Sequence, residues 1–403
     1  MRVLFADKLV DRARVRLASA GFEVRVEPAV KGSSLLAVVQ EWEPEVLVVR
    51  STRVAAEVLE SASLSLVVRA GAGVNTIDLG TASARGVFVA NCPGRNADAV
   101  AELTLGLILA VDRHIADAAQ DSRRGLWNKG EYSRAAGLKG RTLGLLGMGR
   151  IGQQVAVRAR AFGMHVVAWS RSLDADRAAL FGVERADRPE DVASRADVLS
   201  VHLAASPATQ GLIGRSVFDA MRHGSMFINT SRADVVDEEA LLAALDSKQL
   251  RAGLDVFSGE PSSKQAEFSH PLCAHPSVVA THHIGASTAQ AQEAVADEAC
   301  RIVEEFRSTG RVPNCVNLST RSASTHALVV RHRDRVGVLA EVLGILRADG
   351  RNVGEMENTV FVGGGAATAR IGLDGAVSTG AMAMITGLQA VLHSSCVTLM
   401  ERQ

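Results

Sequence analysis

The sequence predicts an α/β protein with two doubly wound parallel-sheet domains and a small βαββαβ module at the C-terminal end. Three observations support this. Short apolar runs alternate with helical patterns through the first three quarters of the chain, and parallel strands need such helical crossovers. A glycine-rich turn, Gly147-Met148-Gly149-Arg150-Ile151-Gly152, stands between a strand-like run and a helix-like run. Finally, the rhythm changes after a polar stretch, VNLSTRSAS, at 316–324.

From Val3 to Ala90 the runs VLF, EVRV, EVLVVR and LVVRA read as strands of a small open parallel sheet. Residues 97–122 form a long apolar-periodic segment, expected to be one buried helix linking two domains. Strands are expected near 142, 164, 197, 225, 251 and 278, followed by a helix from about Ser287 to Thr309 that returns the chain to the first domain. Beyond the linker, THALVVRHRDRVGVLAEVLGILRADGRNV reads strand, turn, helix, strand, and the remainder supplies further strands around a GGG turn and a last helix. The expected domains are 1–96 with 288–315, 97–287, a linker at 316–324, and 325–403.

Composition narrows the function classes. The chain has 403 residues, 47% hydrophobic and 22% charged, enough to bury substantial cores in two or three domains. Lys plus Arg equals Asp plus Glu at 44 each, so no overall basic field attracts nucleic acid and any anion site must be local. No apolar run approaches the roughly 20 residues of a membrane span, and MRVLFADKLVDRARVRL lacks the apolar core of a signal peptide. Cys92, Cys273, Cys300, Cys315 and Cys396 are scattered without metal spacing. Reduced thiols in a cytoplasm, and no metal, are the expectation.

The glycine turn carries the first chemistry. Arg141 to Leu146 reads as a buried strand, and QQVAVRARAF continues the turn as a helix. Gly147 permits the tight turn, Gly149 lets backbone approach a pyrophosphate, and Gly152 lets helix meet strand. The helix N-terminus then offers free N–H groups to phosphates, the arrangement of a Rossmann dinucleotide site. At the end of the next strand, where an acid ordinarily bonds the ribose 2′-OH, the chain reads Trp169-Ser170-Arg171-Ser172. Ser170 takes the place of the acid and Arg171 is suited to a 2′-phosphate, so both NAD and NADP stay open.

Arg232 in NTSRAD, Glu260 in LDVFSGEP and His283 in HHIGAST follow in order. With GxGxxG, these motifs resemble the D-isomer-specific 2-hydroxyacid dehydrogenases. The segments RAGAGVNTIDL, NCPGRNADAVAELTLGLIL and VPNCVNL resemble the branch of that family that oxidises 3-phospho-D-glycerate to 3-phosphohydroxypyruvate, the entry to L-serine biosynthesis. The likeness covers essentially the whole chain. It implies a homo-oligomeric enzyme, a homodimer or homotetramer, with NAD as cofactor and NADP as the alternative.

Removing a hydride from C2 of a hydroxy acid requires a base for the hydroxyl proton, and imidazole titrates near the working pH. The resemblance therefore implies His283 as base, Glu260 bonding its other ring nitrogen, and Arg232 forking the substrate carboxylate. His282 stands beside His283 where the family often has Pro, and Ala233 follows Arg232 where the family has Gly; an alanine there would be crowded if the position needs a positive φ. His283 is preferred to His282 for its spacing to Gly285-Ala286-Ser287-Thr288.

Cofactor contacts carry over to Arg150 and Ile151 at the pyrophosphate, Thr209, Thr230 and Ser231, Asp255 at the nicotinamide carboxamide, and Gly285 with Ala286; His202 lies toward the adenine side. Arg50, Ser51 and Arg53 in VVRSTRV, with Gly73 and Asn75 of the following turn, are the substrate candidates. Two arginines beside backbone N–H groups make an anion pocket of the kind a phosphate needs, and a solvated pair on a loop is the plain alternative. Trp127, Lys129 and Tyr132 mark oligomer-interface territory. The C-terminal module resembles an ACT domain of ferredoxin-like topology, with Val336 in place of a turn Pro. The likeness implies either an L-serine effector at His332, Asp334 and Asn352, or pairing alone. Two other readings of the chain are an NADPH-dependent glyoxylate/hydroxypyruvate reductase, which Ser170-Arg171 favours, and a non-catalytic dinucleotide-sensing interaction protein.

Overall fold

A computed structural model of the chain describes residues 1–60, 63–261, 265–319 and 322–399. It divides into two compact units, Met1–Asn317 and Leu318–Gln403.

The first unit holds two parallel sheets. Strands β1 (Arg2–Phe5), β2 (Glu23–Val26), β3 (Val46–Val49), β4 (Leu66–Arg69) and β5 (Phe88–Asn91) lie in the order β2-β1-β3-β4-β5, every pair parallel. Strand β3, VLVV, is buried at every position. Such an unbroken apolar run is what a central parallel strand covered on both faces requires.

Strands β6 (Thr142–Leu146), β7 (His165–Trp169), β8 (Glu184–Arg185), β9 (Val198–Val201), β10 (Met226–Asn229), β11 (Arg251–Leu254) and β12 (Val278–Ala280) form a second parallel sheet, ordered β12-β11-β10-β9-β6-β7-β8. The order in which strands are added reverses between β6 and β9, and the crevice beyond the strand ends at such a switch point is where doubly wound sheets bind ligands. The sequence patterns located all of these strands except β8, whose two residues, both exposed, carry no alternation to read.

The helix Ala97–Arg113 buries Ala101, Leu105, Leu107, Ile108 and Val111 against the second sheet. The single helix expected over 97–122 is in fact broken: His114 is left-handed, at φ 52, and a second helix, Ile115–Arg123, follows with no buried residue. A periodic apolar pattern cannot register one left-handed residue, which here is anchored by a bond between Arg251 Nη2 and His114 Nδ1 at 3.1 Å. The helix Ala289–Thr309 is capped by the Thr288 hydroxyl, which accepts the Ala291 N–H, and packs Ala296, Ala299, Ile302 and Val303 against β1, β3 and β4.

The expected linker at 316–324 needs one correction. Val316 donates its N–H to the Val89 carbonyl, and the Asn317 side chain bonds the backbone of Val87 and Val89, so these two residues belong to the first unit. In the second unit, β13 (His326–Arg333), β14 (Val353–Val360), β15 (Ala366–Leu373) and β16 (Val391–Thr398) make an antiparallel sheet ordered β14-β15-β13-β16. Helices Val338–Ala348 and Thr379–Gly387 complete the βαββαβ order and cover Leu328, Val330, Ala369 and Ile371. No helix among the described residues is long and apolar enough to cross a membrane.

Candidate active site

The glycine turn has the geometry of a phosphate cradle. Gly147 has φ 108, and a Cβ there would lie 2.5 Å from the His202 carbonyl oxygen; a Cβ on Gly152 would lie 2.1 Å from the Gly147 carbonyl oxygen. At Gly149 no atom stands within 4 Å of a built Cβ, so the backbone there faces open space. Two glycines are thus demanded by the fold itself, while the third keeps room at the N-terminus of the helix Arg150–Ala161, where a dinucleotide pyrophosphate fits. Ile151 joins the core beneath this turn. Arg150, expected at the pyrophosphate, instead donates to the Pro93 carbonyl at 2.9 Å.

Glu260 and His283 meet in space. His283 Nδ1 lies 2.7 Å from Glu260 Oε2, and the Phe257 N–H donates to Glu260 Oε1 at 2.7 Å. Burial by itself pushes the Glu260 carboxyl up, but the His283 bond, the Phe257 N–H and the charges of His283 and Arg232 together hold it below its ordinary value. His283 sits at φ 52, a left-handed backbone that a side chain adopts only under constraint. Asp255 supplies the constraint: it is 1% exposed and accepts from Thr281 Oγ1 at 2.6 Å and from the N–H groups of Ile284 and Gly285 at 2.9 Å each. Asp255 was expected at a carboxamide; here it braces the turn that carries the imidazole. His282 is exposed and has no bond to Glu260.

Arg232 leaves the end of β10 extended, at φ −144, and reaches the turn after β4, where a Cβ on Gly73 would lie 2.9 Å from its Nη2. Ala233 is not among the positive-φ residues, so the alanine is unstrained. Thr230 and Ser231 are buried, with hydroxyls on Thr104 and Asn229. Thr209 bonds within its own turn, to the Ala204 carbonyl. His202 bonds Ser200 through Nε2, and burial pushes its pKa down to about 3, leaving it neutral.

A cavity of about 180 Å³ opens beside this pair, lined by Arg50, Ser51, Arg69, Gly71, Asn96, His283, Ala286 and Ser287. Two corrections concern the anion pocket. Asp7, 8% exposed, accepts from the N–H groups of Arg50, Ser51 and Thr52 at 2.6 to 2.9 Å, so those amides are already spent shaping the turn. Burial raises the Asp7 carboxyl, and the three amides more than offset it. Arg53 is exposed and does not line the cavity, and neither does Asn75.

In place of Arg53 stands Arg69, the last residue of β4, which the sequence patterns did not single out. Its guanidinium lies against Gly71, where a Cβ would fall 1.6 Å from Nη1, and its Nε is buried without a partner. Burial first, then the charges of Arg232 and Arg50, push its pKa down to about 10. A buried guanidinium with an unpartnered Nε, beside two arginines whose charges oppose its own, is an arrangement that an anionic ligand would relieve. The advance signs were an arginine closing an otherwise apolar parallel strand, LVVR, and its place at the head of RAGAGVNTIDL.

A larger open cleft of about 680 Å³, lined by His114, Asp117, Arg251 and His275, lies at the opposite ends of β11 and β12 and contains none of the expected site residues. In the second unit His332 is 2% exposed, with Nδ1 on the Arg333 carbonyl and Nε2 beside Asn358 Oδ1, so within one chain it is not open to an effector. Asp334 and Asn352 are exposed. Trp127 is 88% exposed, Lys129 is exposed, and Tyr132 donates its hydroxyl to Asp121.

Residues 105–285 match the family described as D-isomer specific 2-hydroxyacid dehydrogenase, NAD binding domain. A D-3-phosphoglycerate dehydrogenase of Mycobacterium leprae is 40% identical over 319 residues, 78% of this chain and 58% of the relative. The chain spans 58% to 63% of the length of the curated relatives it matches. Among solved structures, a Thermus thermophilus protein is 36% identical with a TM-score of 0.70, covering 78% of this chain and all of that one. An NADPH-dependent glyoxylate/hydroxypyruvate reductase of Sinorhizobium meliloti, in complex with NADP and malonate, is 27% identical at a TM-score of 0.66, covering 78% and 96%.

Proposed function

The chain belongs to the D-isomer-specific 2-hydroxyacid dehydrogenase family, and from that premise we propose that it oxidises 3-phospho-D-glycerate to 3-phosphohydroxypyruvate, the first step of L-serine biosynthesis. The observation that carries the reading is the grouping of Arg50, Arg69 and Arg232 beside the His283–Glu260 pair. A substrate with a carboxylate at one end and a phosphate at the other needs cations for both, and a plain hydroxy acid needs them for one.

His283 takes the C2 hydroxyl proton on Nε2, since Nδ1 is committed to Glu260. Glu260, held ionised, stabilises the imidazolium and fixes its orientation. Arg232 holds the carboxylate and polarises the C2 oxygen, while Arg69 and Arg50 hold the phosphate. The glycine turn, with Gly147 and Gly152 shaping it and Gly149 leaving room at the helix N-terminus, would hold a nicotinamide dinucleotide, which would supply the hydride acceptor. The second unit serves as an ACT-type module in a cytoplasmic homodimer or homotetramer, with Trp127, Lys129 and Tyr132 at a subunit contact. L-Serine is its candidate effector, tested by titrating the initial rate.

A second reading, the glyoxylate/hydroxypyruvate reductase, is favoured by Ser170 and Arg171 and by the name of the Sinorhizobium relative. Initial rates of NADH and NADPH oxidation with 3-phosphohydroxypyruvate, glyoxylate and hydroxypyruvate decide between them. A large kcat/KM preference for the phosphorylated acceptor supports the arginine pocket, a preference for the small acceptors supports the reductase, and no turnover with any of them removes both.

A further inference from the structure

Resting on the dinucleotide reading above, we propose that the turn after β7 selects a 2′-phosphorylated dinucleotide, so that the protein prefers NADP(H) to NAD(H), with Arg171 and Ser170 as the specificity residues. The turn is in the right place. β6 and β7 are hydrogen-bonded neighbours with Leu146 opposite Trp169, and Gly147 donates its N–H to the Trp169 carbonyl at 2.8 Å. A dinucleotide whose pyrophosphate lies on the glycine turn therefore brings its adenosine ribose to residues 170–173.

The position that ordinarily holds an acid does not hold one here. Selection for an unphosphorylated ribose rests on a carboxylate that accepts the hydroxyl bonds and repels a phosphate. Here the position holds Ser170, half-buried, and the flanking carboxylates Asp174 and Asp187 are committed elsewhere. Asp174 is spent accepting the Arg177 N–H at 2.8 Å, and Asp187 is paired with Arg185 at 2.7 Å. Two further guanidinium groups wrap the turn: Arg177 donates to the Ser172 carbonyl at 3.0 Å and Arg185 to the Leu173 carbonyl at 2.9 Å. Arg171 is exposed and, among the described residues, has no carboxylate partner. A permanently charged fork with unspent donors suits a phosphate dianion, and the Ser170 hydroxyl can donate to it as well.

The test is equilibrium binding to the full-length protein, read by fluorescence, with NADPH and NADH and with the nicotinamide-free probes adenosine 2′,5′-bisphosphate and AMP. NADPH is expected to bind about 10- to 100-fold more tightly than NADH, as one or two charge-assisted bonds provide, and the bisphosphate is expected to show the same preference over AMP. Arg171→Ala should bring the ratio to within about threefold, and Ser170→Asp should reverse it. Both substitutions lie on a solvent-accessible turn, and a thermal melt confirms that each variant folds. Equal or tighter binding of NADH by the unaltered protein, or a ratio untouched by Arg171→Ala, overturns the proposal while leaving the dehydrogenase reading in place. Failure of all four probes to bind would overturn both.

Discussion

Replacing Arg69 with Met should make the ligand-free protein more stable and the enzyme much worse. The guanidinium sits at about 10 against its ordinary 12.5 because it is buried and faces Arg232 and Arg50. At 1.36 kcal/mol per pKa unit, that gap corresponds to a cost of roughly 3 kcal/mol in the folded state. Met has similar length and no charge, so the swap removes the desolvation and repulsion while filling most of the volume; after relaxation about 1 to 2 kcal/mol should be recovered. For a protein of this size the melting temperature should rise by about 1 to 3 °C. Because the pKa is lowered, the penalty on the charged form is complete at neutral pH and is relieved only as pH climbs through about 10. The gain should therefore be flat between about pH 6 and pH 9. The same substitution takes a charge-assisted fork from the substrate phosphate, costing about 10- to 1,000-fold in kcat/KM for 3-phosphohydroxypyruvate. The unaltered protein should also be stabilised by added inorganic phosphate, and the variant much less so. Paired thermal melts and initial-rate kinetics are the assay. A variant that is less stable and keeps its kcat/KM would refute the argument that Arg69 is an unpaired charge held for a ligand.

Three other outcomes follow from the geometry. His283→Asn should lower kcat by about 10²- to 10⁴-fold with cofactor affinity spared, whereas His282→Asn should stay within about threefold; a reversed pattern would move the base to His282. Gly152→Ala places a Cβ 2.1 Å from the Gly147 carbonyl and should cost about 1 to 3 kcal/mol of stability, while Gly149→Ala, with no atom within 4 Å, should melt normally yet weaken dinucleotide binding, as calorimetry and titration would show. Asp7→Asn should cost about 1 to 3 kcal/mol at pH 7. Since the Asp7 pKa is lowered, its contribution is present above about pH 4 and fades as pH falls through the folded value, so the denaturant midpoints of the two proteins should converge in acid.

Much of the molecule is legible in its sequence. The parallel sheets follow from runs such as VLVV at Val46–Val49, buried at every position, and LGLL at 143–146, whose burial on both faces shows as a near-continuous apolar string. The glycine turn is legible for a similar reason: a positive φ and a helix touching a strand are local demands that only glycine meets, so they are recorded at fixed spacing. The βαββαβ order of the second unit is also local, an alternation of periods two and 3.6.

The sequence by itself determined what depends on neighbours along the chain: which segments become strands, where glycine is obligatory, and which residue types are present for acid, base and anion chemistry. Only the tertiary structure decided which of them meet. Arg69 enters the site because β4 lies beside β3, carrying its terminal guanidinium toward Arg50 and Arg232, while Arg53, two positions past Ser51, stays exposed. Asp7 takes the amides of Arg50 to Thr52 because β1 is the other neighbour of β3. His283 rather than His282 faces Glu260 because Asp255 bends the intervening turn into a left-handed step. Each of these contacts joins residues more than 15 positions apart, or turns on a single backbone dihedral, and neither leaves a period or a spacing in the sequence to be read.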